Sequence, residues 1–95
     1  MHIIDMANHL DELEVLERAK YELAGRENVI NFMVINGLKS HENYNYFWEE
    51  YLLYLKAYDM LKEEFHNNFI RPQINFTNYR WEVDFEKKEV KVYEQ

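Results

Sequence analysis

Apolar and polar positions follow two different periods along this 95-residue chain. Leu10, Leu13, Leu16, Leu23, Ile30 and Val34, helped by Ala19 and Ala24, recur at helical spacing. They predict a first helix over residues 8–36. Asn8 stands at its start with Asp11 and Glu12 in the first turn, where acceptors and negative charge suit the positive end of the dipole. Glu14 with Arg18, and Glu22 with Arg26, are i,i+4 pairs of the favoured orientation, the mark of a solvated face. Asn36-Gly37 ends the helix, Gly being the natural residue for a left-handed position past the last turn. A second helix is predicted over 41–70, with Ser40 as its cap and Pro72 as its stop. Its broad apolar face runs from Tyr44, Phe47 and Tyr51 to Leu61, Phe65 and Phe69. Tyr46, Leu53, Ala57 and Met60 form another stripe roughly opposite.

After Pro72 the period changes to two. Tyr79, Trp81, Val83 and Phe85 alternate with Arg80, Glu82, Asp84 and Glu86, and Val90 and Val92 alternate on the return. This predicts a β-hairpin over 79–93, turned by Glu86-Lys87-Lys88-Glu89. Without Gly or Asn for a tight primed turn, a four-residue loop built on a type I turn fits best. A two-stranded hairpin is marginal in water by itself, so it must lie on the helices, where it would cover part of the second stripe. The short helix–helix connection makes the two helices antiparallel. The expected fold is therefore mostly α with a minor β part (α+β): two long antiparallel helices forming a helical hairpin, with a C-terminal β-hairpin packed on them. Residues 1–95 make one domain, since two cores could not both be filled at this size. Residues 28–38 are apolar nearly all round and are expected to be the more deeply buried end. Two points stay open: whether MHIIDMA is an extended arm or a first helical turn, and whether Gly25 kinks the first helix.

Composition narrows the function classes. There is no cysteine, which excludes a disulfide framework, thiolate catalysis and Cys-ligated zinc, and which fits a cytoplasmic setting. The first residues lack a basic segment followed by an apolar one, so no signal peptide is expected, and charges interrupt every stretch long enough to span a membrane. The net charge of −7 disfavours direct nucleic-acid binding. Residues 1–40 hold seven acids against four Lys/Arg, residues 41–70 six against two, and residues 71–95 five of each. The acidity therefore sits on the helices. It serves solubility, or, in an alternative reading, mimics a nucleic-acid backbone and inhibits an enzyme that binds one.

The chemistry-bearing patterns are sparse. Glu63-x-x-His66 has the i,i+3 spacing that presents a carboxylate and an imidazole together, so a metal-binding helical protein using Glu63 and His66 is a further alternative. A di-iron bundle needs two such motifs, and His2, His9 and His41 do not repeat this one. Glu49 and Glu50 are adjacent on a helix and diverge, which rules them out as an acid/base pair. Two glycines cannot build a phosphate cradle. Ser40 and Thr77 are the only hydroxyl nucleophiles of their types, one at a helix cap and one in a loop. The chain is accordingly expected not to be an enzyme and to hold no cofactor.

Phe47-Trp48-Glu49-Glu50-Tyr51, Phe69-Ile70-Arg71-Pro72 and Trp81-Glu82-Val83-Asp84-Phe85 together resemble small bacterial accessory proteins of modification systems for Cys-x-x-x-repeat peptides. The resemblance covers roughly the C-terminal half and implies a helper that binds a precursor peptide or a maturation enzyme, without catalytic residues. The residues themselves point to a small interaction protein working as a homodimer. Phe32 and Ile35 must face away from the second helix when Ile30 and Val34 face it, and Leu53 and Met60 carry the same surplus. These four are the expected contact residues.

Overall fold

In the computed structural model, which describes residues Met1–Gln95, the two periods become two layers. Helix α1 spans Leu10–Ile35 and α2 spans Tyr44–Phe65; they pack antiparallel as a helical hairpin. Against one end of it lies a three-stranded antiparallel sheet of β1 (His2–Asp5), β2 (Tyr79–Asp84) and β3 (Glu89–Glu94). The molecule measures 49 × 28 × 20 Å. Its long axis is the hairpin, since the 26 residues of α1 alone extend about 39 Å at 1.5 Å per residue.

The N-terminal segment resolves as a strand, and it completes the sheet. β3 is central: His2 pairs with Val92 and Ile4 with Val90 on one side, while Trp81 pairs with Val92 and Val83 with Val90 on the other. Ile4, Val90 and Val92 therefore point the same way, into the helices, and all three are buried. The Met6 N–H then donates to the Lys88 carbonyl at 2.9 Å, tying the β2–β3 turn to the start of the chain. That turn has the expected four residues but lies one position earlier, at 85–88 and not 86–89, because Glu89 already pairs with Asp84 and Phe85 leaves the strand; Lys88 takes φ 57° in the left-handed region. Asp84 Oδ1 accepts the Lys87 N–H at 2.9 Å, and Lys91 approaches the same carboxylate at 3.5 Å. The backbone donor first, then the ammonium, hold the Asp84 carboxyl below its ordinary range.

Helix boundaries differ from expectation where side chains take over backbone partners. His9, not Asn8, precedes α1, and no side chain caps it; Asp5 instead accepts the Ala7 N–H at 2.9 Å and turns the chain out of β1. Helix α2 starts at Tyr44, not 41, so Ser40 is no cap. The His41 ring accepts the Asn43 N–H at 3.1 Å and the His41 carbonyl accepts that of Tyr44, which holds the intervening residues as turns. At the end of α1, Gly37 takes φ 69°, the Leu38 N–H reaches the Met33 carbonyl at 2.7 Å and the Gly37 N–H that of Val34 at 3.2 Å. Those are the two bonds of a Schellman cap. Helix α1 runs unbroken through Gly25. The last turn of α2 widens into a π-turn over His66–Ile70 and tightens into a 3₁₀ turn over Arg71–Gln73 around Pro72. The wider turn lets Phe65 and Ile70, five residues apart, both enter the core.

The core sits at the sheet end, which overturns the expectation for residues 28–38. Ile4, Met6, Leu13, Leu16, Phe65, Ile70, Val90 and Val92 form one buried cluster, with Trp81 and Val83 packed against it. In the far half of the hairpin only Ile30 and Met33 are buried. A helix surrounded by apolar residues is buried only if something surrounds it, and the sheet is too short to reach. The sheet also leaves the Tyr46–Leu53–Met60 stripe uncovered and packs beside Tyr58, Leu61 and Phe65 instead. Replacing Ile70, which is fully buried, by Ala should lower unfolding free energy by about 3–4 kcal/mol, through lost burial and the cavity left behind. Denaturant titration measures it, and a change below about 1 kcal/mol would mean that the π-turn is not anchored by Ile70.

Candidate interaction surface

Titratable side chains and bare apolar surface concentrate in two regions, the histidine cluster at the π-turn and the exposed faces of the hairpin. His66 sits where α2 passes into the π-turn, and β2 crosses beneath it. Its Nε2 hydrogen-bonds the Tyr79 hydroxyl, and its ring stacks on Trp81 at 5.7 Å with planes 5° apart. Trp81 in turn stacks on Phe65 at 6.0 Å. The imidazole is thus built into a wall of aromatic rings joining α2 to the sheet. Glu63 stays exposed, and no three His, Asp or Glu side chains converge as metal ligands. Burial, with the Arg71 guanidinium adding to it and Glu63 opposing, pushes the His66 pKa down. His66 is thus engaged by Tyr79 and Trp81, while Glu63 points to solvent and shares none of these contacts.

The other titratable candidates are dispersed. Glu50 pairs with Arg26 at 3.4 Å while Glu49 is exposed. Arg26 also lies over the Tyr54 ring at 3.8 Å, so a single α1 side chain clamps α2 midway along the hairpin. Ser40 and Thr77 are exposed in separate loops. Helical acids are interleaved with bases, as in the Glu14–Arg18 pair at 3.0 Å. No helix is long and apolar enough to cross a membrane.

The exposed apolar surface lies mainly on the hairpin. All four expected contact residues are exposed: Phe32 by 61%, Ile35 by 81%, Leu53 by 68% and Met60 by 62%. The structure does not gather them into one spot. Leu53 and Met60 share a stripe two turns apart on α2, Phe32 is on the outer face of α1, and Ile35 is at its very end. Four further residues join them: Val29, part of the same apolar surplus of α1; Trp48, expected on the broad apolar face of α2 but exposed; and Tyr21 and Leu52, which the apolar periodicity did not single out. Their helical spacing was visible, but the sequence could not say which faces the sheet leaves bare. Between the helices, Gly25, Arg26, Val29, Phe47 and Glu50 line an open groove of about 270 Å³. No family of known proteins matches this chain, and neither does any curated protein or solved structure.

The His66 cluster predicts a pH dependence. Its folded pKa lies below the unfolded value, so the unfolded chain binds the proton more tightly. The stabilising contribution of neutral His66 is complete well above the unfolded pKa of about 6.5 and is lost as pH falls through that value toward the folded pKa. The melting temperature should therefore drop between roughly pH 7.5 and 5.5, and less steeply for His66→Gln. Equal slopes in the two proteins would show that His66 does not sense its burial.

Proposed function

We propose that the chain is a small, non-catalytic interaction protein that works as a homodimer through its helical hairpin. One observation carries this reading: the far half of the hairpin has almost no core of its own. Eight of the fourteen exposed large hydrophobic side chains, from Val29 to Leu53, fall there, while only Ile30 and Met33 are buried. Soluble monomers rarely leave contiguous apolar patches beyond a few hundred Å². A two-fold partner covers such a surface with matching material and closes the assembly, with no open face left for further addition. The peptide-binding or enzyme-binding helper role implied by the resemblance to accessory proteins belongs to the same non-catalytic class. A cysteine-free, acidic surface suits a cytoplasmic protein of this kind.

Sedimentation at micromolar concentration should show a species of twice the 11.8 kDa chain mass. The Phe32→Glu/Ile35→Glu double variant places a charge at each of two exposed positions, so it should keep its helical circular dichroism and sediment as monomer. A single 11.8 kDa species for the unmodified protein would remove the homodimer.

A further inference from the structure

Gly25 is an oddity inside the chain. A glycine in a helix interior costs about 1 kcal/mol relative to Ala, and the usual reason to keep one is a close neighbour. Here a Cβ built on Gly25 meets nothing within 4 Å, and its φ is not one that demands glycine. Nothing within the chain uses it.

The surface around Gly25 faces away from the sheet. Lys20 reaches over the Phe85 ring and Lys62 over Trp81, so both mark the sheet side of their helices. Val29 lies nine residues after Lys20, and Leu53 nine before Lys62. At 100° per residue each is half a turn round from the sheet. On α1, Tyr21, Gly25 and Phe32 run along this outer side at offsets of −4, 0 and +7. On α2, Tyr46, Leu53 and Ala57 run at −7, 0 and +4. The Arg26 contacts with Glu50 and Tyr54 set the antiparallel level of the two helices and place Leu53 level with Gly25. It follows that Phe32 is level with Tyr46 and Tyr21 with Ala57.

We infer that this face binds a second copy of the chain, with Leu53 of each copy seated on Gly25 of the other. The inference rests on the homodimer reading and names its contact. A two-fold axis parallel to the helices brings α2 of one copy over α1 of the other at equal heights. Leu53 then meets Gly25, and Ala57 meets Tyr21, a large side chain against a small one each time; Phe32 meets Tyr46. Every contact is made twice, and four helices close into an antiparallel bundle with the sheets outside. The alternative axis, across the helices, would set Gly25 on Gly25 and Leu53 on Leu53, leaving a gap beside a collision.

Size and charge agree with this occupant. Tyr21, Val29, Phe32, Tyr46, Leu53 and Met60 together expose on the order of 700 Å², near the ~800 Å² per partner of a standard interface. The groove of about 270 Å³ beside Gly25 has room for a leucine side chain. Although the chain carries −7, Glu14 and Glu50 beside this face are already paired with Arg18 and Arg26. Glu49, four residues before Leu53, and Glu22, three before Gly25, are the carboxylates near this face without an ion pair, and at the level set by Arg26 Lys56 of one copy comes opposite Glu22 of the other.

Two measurements test the contact. Gly25→Gln adds a better helix former at a site open in the single chain, so the folded chain should keep its helicity and, diluted to where both proteins are monomeric, melt no lower. In the dimer the same side chain fills the seat of Leu53, and the dissociation constant should rise about tenfold or more. The chain has no native cysteine, so single-cysteine variants report cleanly. Oxidising a mixture of Gly25→Cys and Leu53→Cys chains should give a covalent dimer that neither variant forms alone. A dimer of unchanged affinity in Gly25→Gln, or cross-linking of Gly25→Cys with itself but not with Leu53→Cys, would overturn this contact while leaving the homodimer standing. An unmodified chain that stays monomeric would remove both.

Discussion

Everything at the sheet end of this molecule depends on the burial of Val90 and Val92 in β3. Both side chains are fully out of water, and the strand that carries them is paired on each side. β1 brings Ile4 to one flank, β2 brings Trp81 and Val83 to the other, and Phe65 and Ile70 close the layer from above. A two-stranded ribbon would be marginal. A third strand drawn from the opposite end of the chain makes it a sheet with one apolar face. Chain start and chain end are thereby fixed together, and the helices have a floor to stand on.

That floor is short. The sheet reaches only the half of the hairpin containing Leu13, Leu16, Leu61 and Phe65, and beyond it the two helices have only each other. Two helices in contact bury one stripe apiece, which accounts for Ile30 and Met33 and for little else. The Arg26 clamp on Glu50 and Tyr54 and the Schellman cap at Gly37 keep this arm straight and closed at its tip. Neither buries much apolar area. The arm is therefore held in shape by polar and local devices, while its apolar side chains stay exposed. The packed core lies at one end and the bare apolar surface at the other.

Much of this was legible from residue order. The change of period from 3.6 to two after Pro72 separated helices from strands, and Asn36-Gly37 marked the helix end to within a residue. Phe32, Ile35, Leu53 and Met60 were identifiable as surplus because a helix cannot turn every apolar residue toward one neighbour. The same periodicity misled for residues 28–38. Apolar character on all sides of a helix normally accompanies deep burial, but it reports what a segment would gain from being covered, not what covers it.

Residue types and their spacing thus determined the two long helices and the C-terminal hairpin, their antiparallel pairing and the amount of apolar surface to be accommodated, because these follow from local periodicity and short connections. Only the tertiary structure decided where that surface ended up. His2–Asp5 became an edge strand because β3, at the opposite end of the chain, offered it a partner, which no local pattern records. His66 became a packing residue because β2 brought Tyr79 and Trp81 against it. Gly25 reads in sequence as a possible kink, yet in the fold it is a smooth, open position on the bare face of α1. Its meaning depends on what lies across from it, and distance in space is the one quantity that residue order does not carry.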